Sequence, residues 1–274
     1  MLSTLALLPR LRRQRYDVVI DLQRNRISRA VRTMLRPTCL SEFDRFSPAL
    51  GGERARATIE ATGLGALVAY PVPSPEIDSA LEKLREGGWD GASGLVVLNP
   101  VEAFPGRTWP PESYARFAEL WGAQSEAPTQ FLLLGLPGLT ATAAFLRSRL
   151  GDRLIDLLGR TTPSEAFALI GRAVLMVSGD SGLMHMAWVT GVTTVALFGA
   201  SRSAWASPHG NYSECVNACV LADGICMDGT CRQAPPPCLA ELSPGAVLER
   251  AQALMRRTEG ARRVIYPGAA EGPR

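Results

Sequence analysis

The segment 179–185 reads Gly-Asp-Ser-Gly-Leu-Met-His and carries the residue types best suited to binding a phosphate. It follows an apolar run at 173–177 that is typical of a buried strand, and a helix is predicted over 183–190. A turn of small residues at a helix start presents free backbone N–H groups at the positive end of the helix dipole. The pattern therefore predicts a phosphate site. The alternative is that the serine only caps the helix and the histidine belongs to the core.

Two further predicted strand ends carry comparable signals. Arg107 follows the strand predicted over Gly94–Asn99, and its guanidinium could pair with a diphosphate through two hydrogen bonds; the alternative is a surface arginine stacked on Trp109. Gly199 belongs to a small-residue turn after the strand predicted over Thr194–Phe198. Because the carboxyl ends of parallel strands meet at one edge of a sheet, we expect all three turns to line one crevice.

Strands and helices alternate along most of the chain, which predicts an α/β fold with parallel sheets and helices on both faces. The predicted strands cover 16–22, 94–99, 130–134, 154–156, 173–177 and 194–198. The predicted helices cover 26–35, 76–85, 112–121, 141–150, 163–170, 183–190 and 245–257. The other segments predict a loop with some helix over 44–62, a linker over 87–94, a loop over 215–238 and a disordered tail over 263–274.

The composition is that of an ordinary globular protein, with 274 residues, 46% hydrophobic and 20% charged. The net charge of +3 is too small to indicate a nucleic-acid partner. No apolar run reaches the roughly 18 residues of a membrane span, and residues 1–8 lack the basic start of a signal peptide. We therefore expect a cytoplasmic protein.

Arginines are concentrated at the start of the chain. This segment favours an anionic partner such as a phosphorylated lipid, a membrane surface or RNA, and a solvated helix face is an equal alternative. A membrane partner would place the protein at the inner face of the cell membrane. The arginines concerned are Arg10, Arg12, Arg13, Arg15, Arg24, Arg26, Arg29, Arg32 and Arg36.

Five of the six cysteines lie close together, with the spacing C-x3-C-x6-C-x4-C-x6-C. The segment contains no C-x-x-C pair, so free thiols are the first interpretation. A structural zinc or iron held by thiolates is the second, because the group is dense for a cytosolic protein, and disulfides are the third. The cysteines are Cys215, Cys219, Cys226, Cys231 and Cys238.

The run 156–187 resembles glycosyltransferase family 9, the heptosyltransferases of lipopolysaccharide assembly. The family signature is Asp-[Ser/Thr]-Gly-x-x-His followed by Gly-Val-Pro-Thr-Val-Ala-Leu-Phe-Gly, and here 191–199 reads Gly-Val-Thr-Thr-Val-Ala-Leu-Phe-Gly. Arg-x-Trp-Pro at 107–110 and Tyr-Asp-Val-Val-Ile-Asp-Leu-Gln at 16–23 match as well. The resemblance covers about residues 10–257 and is more specific in the second half.

The resemblance implies a GT-B fold with two Rossmann-like domains, here an acceptor-side domain over 1–90 and a nucleotide-sugar domain over 91–262. It implies inverting transfer of a heptose-like sugar from a nucleotide diphosphate, typically ADP-heptose, to a lipid-linked or oligosaccharide acceptor, without an essential metal or a nucleic-acid partner. The residues that it assigns to the donor are Arg107, Asp180, Ser181, Gly182, His185 and Gly199.

Two departures from the family pattern qualify this prediction. Family members begin with a strand and a Gly-Asp turn that holds the catalytic base, whereas only 1–15 precede the strand here, so we expect a truncated N-terminal domain. Asp21 and Glu102 are the substitute bases. The family also has a glutamate for the ribose after the strand that ends here at Leu134, and none is found. A truncated, inactive relative that binds nucleotide sugar or serves assembly, and an enzyme like UDP-N-acetylglucosamine epimerase, are the alternatives.

Overall fold

The computed structural model describes residues 2–65, 75–101, 108–199, 203–218 and 238–259. Its contacts divide the chain into two compact units, the first consisting of Met1–Val72 with Ala204–Ala206 and the second of Pro73–Ser203 with Ser207–Arg274. The division falls at Pro73 rather than at the predicted residue 91. The reason is that helix α4 (Ile77–Glu86) packs against helix α7 (Pro163–Gly171) of the second unit.

The first unit contains a two-stranded parallel sheet and three helices. Strands β1 (Val18–Asp21) and β2 (Cys39–Glu42) pair in register, so that Asp21 lies opposite Glu42. The helices are α1 (Leu2–Arg13), α2 (Arg26–Leu35) and α3 (Gly51–Glu60). As predicted, α2 ends before Pro37; the residue after the helix, Arg36, adopts the left-handed conformation.

Helix α1 and strand β2 of the first unit were not predicted, and α3 was predicted only as some helix within 44–62. Helix α1 contains Pro9, and α3 begins with Gly51 and Gly52, which are weak helix formers, so neither shows a clear helical pattern. Strand β2 reads Cys-Leu-Ser-Glu and lacks the apolar character of a buried strand. The segment 44–62 is thus a loop followed by a defined helix.

The second unit is a six-stranded parallel sheet in the order β5-β4-β3-β6-β7-β8. Its first four strands along the chain are β3 (Gly94–Asn99), β4 (Thr129–Leu133), β5 (Leu154–Asp156) and β6 (Leu175–Gly179); β7 (Thr194–Phe198) and β8 (Ser213–Asn217) follow. The other helices are α5 (Pro111–Gln124), α6 (Thr140–Leu150), α8 (Gly182–Thr190), α9 (Ser203–Ala206) and α10 (Pro244–Thr258).

Helices cover both faces of this sheet. Val96 and Leu98 of β3 pack in one apolar cluster with α5, α6 and α10, while Leu95 and Val97 pack in a second cluster with α4, α7 and α8. A strand that is buried on both faces reads as a continuous apolar run, which is why the central strands were predicted correctly. The predicted α/β fold with parallel sheets is confirmed.

The edge strand β8 corrects the prediction of a loop from residue 215. It reads Ser-Glu-Cys-Val-Asn and pairs with β7. A short polar sequence at the edge of a sheet carries little hydrophobic signal, so the sequence pattern missed it. Within the described ranges, none of the helices has the length and apolar character that crossing a membrane requires.

Candidate functional site

The order of the strands marks one crevice of the six-stranded sheet. The chain runs outward from β3 through β4 to β5, then returns to lay β6 beside β3 and continues through β7 to β8. In sheets of this kind, ligands bind outside the carboxyl ends of the strands where the order reverses. Asn99 ends β3 and Gly179 ends β6, so the predicted phosphate turn lies at this point.

Ser181 caps helix α8. Its backbone is extended, and its hydroxyl oxygen accepts a hydrogen bond from the Met184 N–H at 3.2 Å. The cap satisfies one of the N–H groups that lack a partner within the helix. No described residue accepts a hydrogen bond from the N–H of Gly182 or Leu183. Ser181 therefore has the capping role, and the start of α8 retains two donors for an anion.

Gly182 lies on the exposed side of this turn. A Cβ atom added there would meet no atom of the described residues within 4 Å, and the residue does not need a positive φ. The folded chain itself therefore gives no steric or conformational reason for a glycine. A glycine is useful at this position when a ligand approaches the backbone closely.

Asn99 is the centre of a buried polar network beneath the turn. Its Oδ1 atom lies 2.7 Å from the Ser181 hydroxyl oxygen and 2.9 Å from that of Ser178, and its Nδ2 donates to the Leu134 carbonyl at 2.8 Å. Only 3% of Asn99 is exposed. One amide therefore connects the ends of β3, β4 and β6 with the cap of α8.

Tyr114 of α5 joins the same strand ends through their backbones. Its hydroxyl donates to the Asn99 carbonyl at 3.1 Å, and the Gly179 N–H is a further hydrogen-bond partner. Burial raises the pKa of Tyr114 well above its ordinary value, and the bond from Gly179 opposes only part of the shift. The phenol stays protonated and acts as a donor that braces the crevice.

His185 lies one turn into α8 and is half-buried. Burial lowers its pKa below the ordinary value of 6.5, and the charge of Asp180 opposes part of the shift. The imidazole is therefore neutral at pH 7. None of the described residues forms a hydrogen bond with its ring, so the ring can donate or accept one hydrogen bond at the turn.

The other predicted donor residues are only partly described. Gly199 is buried directly after β7, on the same edge of the sheet. Arg107 and Glu102 lie outside the described residues. Trp109, two positions after Arg107, is buried in the core, where its indole donates to the Leu242 carbonyl at 3.0 Å and its ring lies edge-on to Tyr114. Trp109 is therefore a core residue and does not lie at the surface.

Asp21, one of the two predicted bases, has both carboxylate oxygens engaged by neighbouring groups of the chain. Its Oδ1 accepts the N–H groups of Gln23 at 3.0 Å and Arg24 at 2.8 Å, and its Oδ2 accepts the Ser28 hydroxyl and pairs with Arg32. Burial raises the pKa of Asp21, but these hydrogen bonds and the Arg32 charge outweigh it, and the pKa lies below its ordinary value. A carboxylate that is fully engaged and weakly basic is poorly suited to accept a proton from an acceptor hydroxyl.

The cysteines do not form a metal site within the described part of the chain. No group of three or more His, Cys, Asp or Glu residues there could hold a metal ion. Cys215 lies on β8, and burial raises the pKa of its thiol to about 11. Cys238 is half-buried. Cys219, Cys226 and Cys231 lie outside the described residues, so the thiolate site stays a prediction.

Sequence reasoning missed the three residues that support the turn. Asn99 and Ser178 are polar residues at the ends of otherwise apolar strands, and Tyr114 lies within the helix predicted over 112–121. A polar residue within a fully buried strand requires a hydrogen-bond partner, and that requirement was the available signal.

A parallel α/β sheet with an open helix start at its reversal point defines the class of nucleotide-binding α/β proteins. Within it, the model of glycosyltransferase family 9 (heptosyltransferase) matches residues 53–235, which is well over half of the chain. The chain belongs to glycosyltransferase family 9.

Known relatives agree with this assignment. Lipooligosaccharide heptosyltransferase 2 of Campylobacter jejuni is 32% identical over 103 residues, a match that covers 38% of this chain and 32% of that protein. The fold resembles a family 9 glycosyltransferase of Veillonella parvula, with a TM-score of 0.70 at 20% identity over 93% of this chain and 80% of that one. It also resembles the E. coli ADP-heptose LPS heptosyltransferase II, with a TM-score of 0.67 at 20% identity over 93% of this chain and 81% of that one.

Proposed function

We propose that the chain transfers a heptose-like sugar from a nucleotide diphosphate, with ADP-heptose as the first candidate, to an acceptor of the lipopolysaccharide type. The observation that carries the proposal is the start of α8, which presents two N–H donors beside an exposed glycine at the reversal point of the sheet. The matched heptosyltransferases supply the sugar and acceptor class.

The chemistry requires stabilisation of the leaving group. An acceptor hydroxyl attacks the anomeric carbon, the bond from that carbon to the diphosphate oxygen breaks, and the hydroxyl proton passes to a base. Attack from the opposite side inverts the anomeric centre. The diphosphate gains negative charge as it leaves, and helix N–H groups together with a cation stabilise such a charge. In the proposal, Gly182 and Leu183 supply the N–H groups, Arg107 the cation and neutral His185 a hydrogen bond.

The base is the least supported part of the proposal. The hydrogen bonds of Asp21 favour a structural role for that carboxylate, so Glu102 stays the candidate. We also propose that no metal takes part in the transfer step. Contact of the arginine-rich start of the chain with an acceptor or a membrane surface at the cytoplasmic face is a further part of the proposal; vesicle sedimentation with anionic and neutral lipids tests it.

Donor binding without turnover is the second candidate function. The engagement of both Asp21 oxygens favours it, because one of the two candidate bases is then excluded. The two functions differ in one measurable respect. Both predict affinity for ADP, whereas only the first predicts ADP release from ADP-heptose in the presence of acceptor.

The assignment is tested by binding and release of ADP. We expect calorimetry to show ADP binding to the wild-type chain, and Asp180→Ala to weaken it about tenfold, which corresponds to about 1.4 kcal/mol, through altered geometry at the turn. Asp152→Ala is the matched control, because this acid lies before β5 at the opposite edge of the sheet. Absence of affinity for ADP, ADP-heptose and UDP-N-acetylglucosamine contradicts both candidate functions.

A further inference from the structure

We propose that Asn99 is a positioning residue that holds the α8 cap, and with it the N–H donors of Gly182 and Leu183, in the geometry that a diphosphate needs. The inference rests on the proposed function for its ligand and on the hydrogen bonds of Asn99 for its mechanism. Asn99 does not itself reach the ligand, since it is 3% exposed.

The direction of each hydrogen bond follows from the groups involved. The Asn99 Nδ2 donates to the Leu134 carbonyl, which fixes the orientation of the amide and turns Oδ1 toward the serines. The Ser181 hydroxyl must donate to this Oδ1, because an amide oxygen can only accept. Asn99 thereby holds the Ser181 side chain in the orientation that caps the helix, with the Ser178 hydroxyl oxygen 3.1 Å away as a further partner.

A cap that is held in this way has a functional consequence. An isolated serine side chain can rotate toward water and away from the N–H groups of the helix. Such a rotation would release the Met184 N–H and loosen the first turn of α8. The amide of Asn99 removes this freedom, so the first N–H groups of α8 are preorganised before any ligand binds.

A double-mutant cycle separates positioning from general stability. We expect Asn99→Ala and Ser181→Ala each to lower the affinity for ADP about tenfold, which is the scale of a lost helix cap. The double variant should bind ADP no more than about twofold less tightly than the single variant with the lower affinity. Gln130→Ala is the matched control, since Gln130 is a buried amide at the amino edge of the same sheet, bonded to Gly88 and Asp90. It should destabilise the chain without changing the affinity for ADP.

Hydrogen exchange provides a readout that needs no ligand. The Met184 N–H, which donates to the Ser181 hydroxyl oxygen, should exchange at least tenfold faster in Asn99→Ala than in Gln130→Ala. Asn99→Asp, which keeps an acceptor for Ser181 but not the donor to Leu134, should preserve part of the protection. If Asn99→Ala does not fold, hydrogen exchange is compared between Asn99→Asp and Ser181→Ala, and the positioning role then predicts faster exchange in Ser181→Ala.

The two proposals fail in different ways. Wild-type protein that binds no ADP contradicts the proposed donor, while exchange of the Met184 N–H still tests the role of Asn99. Fully additive losses of ADP affinity in the cycle, or equal exchange of the Met184 N–H in Asn99→Ala and Gln130→Ala, overturn the positioning role.

Discussion

The turns that follow β1 and β6 differ in whether a side chain of the protein accepts their backbone N–H groups. Each leads from a parallel strand into a helix with a side-chain cap, Asn25 for α2 and Ser181 for α8. In the first turn, the Asp21 carboxylate accepts two backbone N–H groups, where an external anion would otherwise bind. In the second turn, no described side chain takes the first N–H groups of the helix.

The difference shows why a strand–turn–helix pattern alone does not identify an anion site. The turn after β1 is closed by a carboxylate of the chain itself, and its charge is neutralised further by Arg32. The turn after β6 is open, since no atom of the described residues lies within 4 Å of a Cβ placed at Gly182. A helix start binds an external anion only where the chain leaves its donors free. The open turn is therefore the candidate donor site and the closed turn is a stabilising element.

The largest expected effect is the loss of stability when the Asp21 carboxylate is removed from the closed turn. Asp21→Ala removes the acceptor of two backbone N–H groups and of the Ser28 hydroxyl and leaves Arg32 with Glu42 as its carboxylate partner, so we expect the free energy of unfolding of the first unit to fall by about 2 kcal/mol, measured by urea unfolding. Asp44→Ala is the matched control, because this exposed acid lies 3.8 Å from Arg24 and should change stability by less than about 0.5 kcal/mol.

The same variant tests the role of Asp21 in catalysis. The affinity for ADP should be unchanged, because the donor is assigned to the other turn. Unaltered stability combined with lost sugar transfer would reverse the assignment and return Asp21 to the role of base.

The second effect comes from filling the open turn. Gly182→Ala places a methyl group in free space, so the chain should be as stable as wild type or gain up to about 1 kcal/mol. A diphosphate that rests on this backbone should lose about tenfold in affinity, which calorimetry with ADP measures. Gly52→Ala is the control: it also lies in the first turn of a helix and has nothing within 4 Å. Equal ADP affinity in both variants would show that no ligand approaches Gly182.

The sequence predicted the elements that carry a continuous apolar run or a clear helical pattern and missed those that do not. The strand ends at Asn99 and Phe198 were predicted correctly because continuous apolar runs precede them, whereas β2 and β8 carry too few apolar residues. The predicted family and its open turn followed from residues that are neighbours in sequence. The support of that turn did not, because Asn99 and Ser178 are 79 positions apart. Such contacts become visible only once the strand order is known.

The smallest effect is a difference in pH dependence between the two turns. The pKa of His185 lies below its ordinary 6.5 in the folded chain, so the unfolded chain binds the proton more tightly, and stability is lost as the pH falls below 6.5. The pKa of Asp21 lies below its ordinary 3.8, so the first unit keeps this contribution until the solution is more acidic than 3.8.

Exchange measured at pH 5.5 and 7.5 separates the two turns. Acidification should increase the exchange rate of the Met184 N–H more than that of the N–H groups of 22–25, once the intrinsic pH dependence of exchange is removed. His185→Gln should abolish this excess, and His209→Gln, which changes the other histidine of the chain, should leave it unchanged. ADP should reduce the excess, because a bound diphosphate favours the protonated imidazole and raises its pKa. An equal response of both turns to acid would remove His185 from the candidate donor site.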